Sequence, residues 1–205
     1  NENGEKLEVD IIPETMHVKV GVTQPKKTVP IRVVAVGTME EDLAIETCTL
    51  SLDEITLYGK QSVLDQISSM EVSLPVSGIN SDRTLNMPIT LPSGVTSASA
   101  NQVTISVTVG ERTSRTFSDV PIDRINVSDA LADKQIQMSD ETVDVTVYGS
   151  ETMLQNIDKE DIMVTADLKG ISENGETTLA LAVSGSNRLV EYDLSIDEIT
   201  VTVND

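Results

Sequence analysis

Few side chains in this sequence could carry chemistry. His17 is the only histidine and Cys48 the only cysteine. A triad or Cys-His device needs a base beside a nucleophile. His17 stands in the polar register of "MHVKV", and nothing next to it supplies one. Cys48, in "IETCTLSL", reads as a small packing residue, and one cysteine cannot form a disulfide within the chain. Carboxylates are plentiful at Glu40-Glu41-Asp42, Asp53-Glu54, Asp140-Glu141 and Asp158, Glu160 and Asp161. None has the calcium-loop pattern of alternating Asp or Asn followed by Gly and a distant Glu. Phosphate-cradling glycine motifs are missing too. "NVS" at 126–128 has the form of a glycosylation acceptor, a pattern common by chance. No cofactor, metal site or catalytic residue is expected, and the chain reads as a non-catalytic module.

Charge narrows the partners. The 205 residues hold 34 Asp and Glu against 14 Lys and Arg, a formal charge of -20. Such a chain repels nucleic acid and anionic lipid. Aromatics are confined to Tyr58, Phe117, Tyr148 and Tyr192. The core must therefore be aliphatic, which suits strands. No apolar run is long enough to span a bilayer. The chain opens "NENGEKLEVD" without a starting Met, as an excised piece would.

Alternation of apolar and polar residues marks strand after strand: "HVKVGV", "DEITLYG", "LNMPITL" and "VTISVTV", then "VDVTVYG", "IMVTADL", "TLALAV" and "EITVTV". The halves answer each other. "YGKQSVLDQI" at 58–67 returns as "YGSETMLQNI" at 148–157, and "VPIRV" at 29–33 resembles "VPIDRI" at 120–125. Val63, Leu64 and Ile67 share one face of a helical turn, as do Met153, Leu154 and Ile157. Turns at Ser77-Gly78 and Ser93-Gly94 are echoed at Lys169-Gly170 and Ser184-Gly185.

The expected fold is therefore all-β with one short helical turn per repeat, written as tandem units of about 90 residues. Residues 21–110 form one repeat and 111–205 the next, with the boundary near Gly110-Glu111-Arg112. Residues 1–20 read as the closing strand of a preceding repeat. Tyr58 and Tyr148 end a strand. Gly59 and Gly149 are expected to turn the chain there, with positive φ as the reason for glycine.

The repeated spacing resembles the YbbR domain. The first copy carries it as "ITLYGKQSVLDQI", "VSLPVSGI", "MPITLPSGV" and "VTISVTV", and the second as "VTVYGSETMLQNI", "VTADLKGI", "TLALAVSGS" and "ITVTV". It departs at 186–196, where "SNRLVEYDLS" stands in place of a "P.GV" turn. The resemblance implies small, elongated tandem domains with an L25-like barrel or sandwich fold. It also implies an N-terminal membrane anchor outside this sequence and display on the extracytoplasmic face of the cell membrane. The implied role is regulation of a membrane diadenylate cyclase, which makes c-di-AMP, reached through that anchor. A surface scaffold or adhesin-type spacer is the alternative. The family has no catalytic motif to carry over, so Tyr58, Gly59, Tyr148 and Gly149 stand as structural residues.

Overall fold

A computed structural model describes residues 24–131, 134–171 and 173–204. His17 and the 1–20 fragment lie outside the described residues. The first half runs β1 (Lys26–Val36), β2 (Leu43–Leu50), β3 (Glu54–Gly59), α1 (Gln61–Leu64), β4 (Met70–Pro75), β5 (Arg83–Pro88), β6 (Val95–Ala98) and β7 (Gln102–Glu111). The second runs β8 (Thr113–Ile125), β9 (Gln135–Met138), β10 (Thr142–Gly149), α2 (Glu151–Gln155), β11 (Ile162–Asp167), β12 (Gly175–Gly185), β13 (Glu191–Leu194) and β14 (Glu198–Asn204). The architecture is all-β, with one helical turn after the third strand of each half.

Both halves use the same ladders. β1 pairs antiparallel with β3 and parallel with β4, β3 takes β6 on its other side, and β7 lies between β2 and β5. In the second half β8, β10, β11 and β13 repeat the first set, and β9, β14 and β12 the second. One ladder differs. β11 pairs with β12 from Ala166 opposite Leu181 to Ile162 opposite Gly185, joining the second half into one seven-stranded sheet. The first half keeps separate four- and three-stranded sheets. Its counterpart of that stretch of β12 is "ITLPS" at 89–93, where Pro92 lacks the N–H a ladder needs, with Pro88 immediately before it.

The sequence match of "VPIRV" with "VPIDRI" does not survive the register. Thr28 faces Thr56 and Thr116 faces Thr146, with hydroxyls 2.9 and 3.1 Å apart, so these positions correspond. Beyond them β8 carries a bulge that places Ser118 and Asp119 against the single residue Asp144. Asp119 takes φ 57°, and its N–H donates to the Asp144 carboxylate at 3.0 Å. Pro30 then faces Glu54, whereas Pro121 faces Thr142, two places further from the tyrosine. After the bulge the halves run in step again: Val76 N–H donates to Val36 and Leu168 N–H to Ile125, both at 3.0 Å.

Inward-facing residues of each half form one aliphatic cluster. Leu57, Leu64, Leu74, Val103 and Ile105 centre the first, and Val120, Val145, Val147, Val164 and Val201 the second, all almost fully buried. Each such side chain contributes about 1.5–3 kcal/mol through removal from water. Phe117 is the one aromatic ring in these buried clusters.

The helical turns are too short to stand alone and are fixed by Leu64 and Leu154, which point into the clusters. A cation at the same ladder position closes the C-terminal end of each. Lys27 Nζ donates to the Asp65 carbonyl at 3.3 Å. Arg115 Nη1 donates to the Leu154 and Ile157 carbonyls at 3.1 and 3.0 Å, with its guanidinium 4.5 Å from the Phe117 ring centroid. Arg115→Ala is expected to cost about 1–2 kcal/mol, from these bonds and the ring contact. Urea unfolding measures it, and Arg115→Lys should restore part of the loss.

Candidate functional site

Tyr58 and Tyr148 sit half-buried at corresponding strand ends, Tyr58 opposite Lys26 and Tyr148 opposite Ser114. Their glycines do not work as the sequence suggested. Positive φ occurs at Gly78 and Gly170, in matching turns, and not at Gly59 or Gly149. Gly59 is required by space: a Cβ there would stand 2.8 Å from the Gly94 carbonyl oxygen and 3.2 Å from Val95 Cα. At Gly149 a Cβ would meet Val190 Cγ1 at 2.9 Å. In the first half the turn before β6 crosses so close to β3 that its backbone leaves no room for a side chain at Gly59.

The richest cluster of interactions lies where the halves meet. Only Arg112 separates β7 from β8. Its N–H donates to the Asp42 carbonyl at 2.9 Å, and its guanidinium reaches Glu191 at 2.8 Å while lying 4.7 Å from the Tyr148 ring centroid. Tyr148 thus belongs to the junction, with its ring covered by an arginine of its own chain.

The loop between β12 and β13 completes the contact. Asn187 is its organiser. Its side-chain oxygen accepts from Leu189 N–H at 2.9 Å, its amide reaches Met153 Sδ at 3.5 Å, and its carbonyl accepts from the Tyr192 hydroxyl at 3.0 Å. Tyr192 lies over Gly185, where a Cβ would overlap the ring. Burial raises the Tyr192 phenol pKa, partly opposed by that hydrogen bond to Asn187. The folded loop delivers the Arg188 carbonyl to Ala35 N–H at 3.1 Å, a strand-like bond on the edge β1 presents after β3 has left it. Leu189 and Met153 pack against the first cluster. Tyr192→Phe should leave the cores intact but loosen Asn187, raising backbone amide exchange at Ala35 and Leu189 about tenfold in hydrogen-exchange measurements.

Cys48 lies in this seam, half-buried, and burial raises its thiol pKa. That argues against an activated nucleophile. Among the described residues no cluster of three or more His, Cys, Asp or Glu could hold a metal ion. Asn126 stands in a positive-φ turn after β8, and its amide nitrogen donates to Asp167 at 2.8 Å. That bond, and then Lys169 N–H at 2.9 Å, holds the Asp167 carboxyl below its ordinary pKa. A depressed carboxyl stabilises the turn above its unfolded pKa and loses that contribution as pH falls through the folded one. Asn126→Gly keeps the φ and removes the main donor, so the Asp167 pKa should move up in a carboxyl NMR titration.

Sequence reading placed Arg112 at the boundary without giving it a role, and missed Asn187, Arg188 and Leu189. One signal pointed to them: 186–196 is where the second copy leaves the repeat's pattern.

A profile of the family described as YbbR-like protein matches residues 29–109 and 120–203. The CdaA regulatory protein CdaR of Bacillus subtilis (strain 168) is 32% identical over 186 residues, covering 90% of this chain and 38% of that protein. The chain thus spans little more than a third of that relative's length. Among solved structures, the YbbR-like domain of the lmo2119 protein from Listeria monocytogenes aligns at 24% identity and TM-score 0.39, over 45% of this chain and 93% of that one. A YbbR-like protein from Streptococcus pneumoniae TIGR4 aligns at 16% identity and TM-score 0.35, over 92% and 98%.

Proposed function

The chain belongs to the YbbR family, and from that membership we propose that it is a non-catalytic regulatory module of a protein that controls a membrane diadenylate cyclase. The observation that carries the reading is the 32% identity, over 90% of the chain, to a protein named as a regulator of CdaA. The two repeats lie outside the cytoplasmic membrane and are tied to it by an anchor elsewhere in the protein. No helix among the described residues is long and apolar enough to cross a membrane, so the anchor is not one of them. Contact with the cyclase runs through that anchor. The repeats sense or position, and their exposed sheet edges offer backbone groups to a partner strand. Each repeat, 21–110 and 111–205, is a folding unit with its own aliphatic cluster, and Tyr58, Gly59, Tyr148 and Gly149 serve structure.

The junction supports a second reading. A single linking residue with an ion pair, a backbone bond and an inserted leucine suits a spacer that sets reach. Deleting residues 21–205 from the full-length protein separates the two. The regulatory reading expects c-di-AMP levels, or their response to external conditions, to change while the anchor is retained. Unchanged levels and responses leave the spacer.

A further inference from the structure

We propose that the groove between the two repeats, beside the inserted loop, binds a small anionic ligand: a carboxylate or phosphate carrying a short apolar arm. The groove is open to solvent and offers about 410 Å³, within the size range of small-molecule sites, which favour domain interfaces. One wall comes from the first repeat, with Arg32, Val33, Cys48 and Leu50, and the other from the second, Ser186 to Leu189.

Charge selects the ligand. Acidic residues outnumber basic ones by 34 to 14 in the chain, yet this groove has two arginines in its walls and no carboxylate. Both are exposed, and the one ion pair among the described residues, Arg112 with Glu191, uses neither. The guanidiniums come from opposite repeats. A planar, always-charged donor fork is suited to carboxylate and phosphate. Val33, Leu50 and Leu189 supply apolar surface for a short arm.

A ligand held there touches the first repeat and the inserted loop of the second, so occupancy strengthens the junction by mass action. This deepens the sensing role proposed above by naming what is sensed, and it is tested without the cyclase.

Cys48 reports occupancy. The protein is titrated with hexanoate, butyl phosphate and hexylammonium while alkylation of Cys48 by neutral iodoacetamide is followed. Saturable protection by an anionic probe is expected, with a dissociation constant of roughly 1 mM. Hexylammonium should give none. Arg32→Gln and Arg188→Gln should each weaken protection about tenfold, and Lys60→Gln, outside the groove, should not. The stronger of the two anions identifies the headgroup. No saturable protection up to ~10 mM, or protection indifferent to probe charge or to both arginines, overturns the proposal. Circular dichroism melts of each variant separate lost binding from lost fold. Loss of cyclase control in cells with binding intact would count against the regulatory reading alone.

Discussion

Gly59→Ala is expected to destabilise the first repeat by about 2–3 kcal/mol, more than the same change at Gly149 costs the second. The two glycines follow matched tyrosines, and local sequence makes them equals. Their surroundings do not. At Gly59 the added methyl meets backbone, the Gly94 carbonyl oxygen at 2.8 Å and Val95 Cα at 3.2 Å. Relief requires the β3–β6 ladder to part, and that ladder is already irregular between Tyr58 and Gly59. At Gly149 the obstacle is a methyl of Val190 at 2.9 Å, at the end of a short side chain in a loop. It can turn aside, so about 1 kcal/mol is expected there. Since φ is not positive at either position, the cost is steric crowding and not backbone strain. Urea unfolding of each variant decides it. Equal losses would show that the crossing segment moves freely in both repeats.

Leu189→Asp should uncouple the repeats. Leu189 is partly buried against the first cluster, and the Arg188 carbonyl of the loop bearing it accepts from Ala35 N–H. A carboxylate at that position must either lose water beside apolar surface or withdraw, and withdrawal breaks the backbone bond as well. A cost of about 1.5–3 kcal/mol raises the open population roughly 10- to 100-fold. The readout is Cys48. Burial raises its thiol pKa and so lowers the thiolate fraction, and only the thiolate reacts. Alkylation at neutral pH should therefore accelerate about tenfold or more, with the melts of the two repeats separating. Unchanged alkylation would mean that Arg112, with Glu191 and Tyr148, holds the junction alone.

The sequence by itself determined the strands, their inward faces and the twofold writing of the unit. Each of these follows from period-two alternation and from turn residues, which act within a few positions of one another. The reason the first repeat stays in two sheets also lies in a residue type, because Pro92 has no N–H to donate, but only the register showed which ladder that prevents. The sequence did not carry the register. Pro30 and Pro121 looked equivalent, yet the ladders set them two places apart, and a one-residue bulge at Asp119, held by the Asp144 carboxylate across the ladder, appears only in the second repeat. Nor did it say why Gly59 is glycine, since the atom in the way belongs to Gly94, thirty-five residues further on. The junction was legible only as a lapse in the repeat at 186–196. Ala35, Cys48, Arg112 and Leu189 are brought together by pairings far apart in the chain. Such contacts depend on where completed sheets come to rest against each other, and no local pattern of side chains encodes that position.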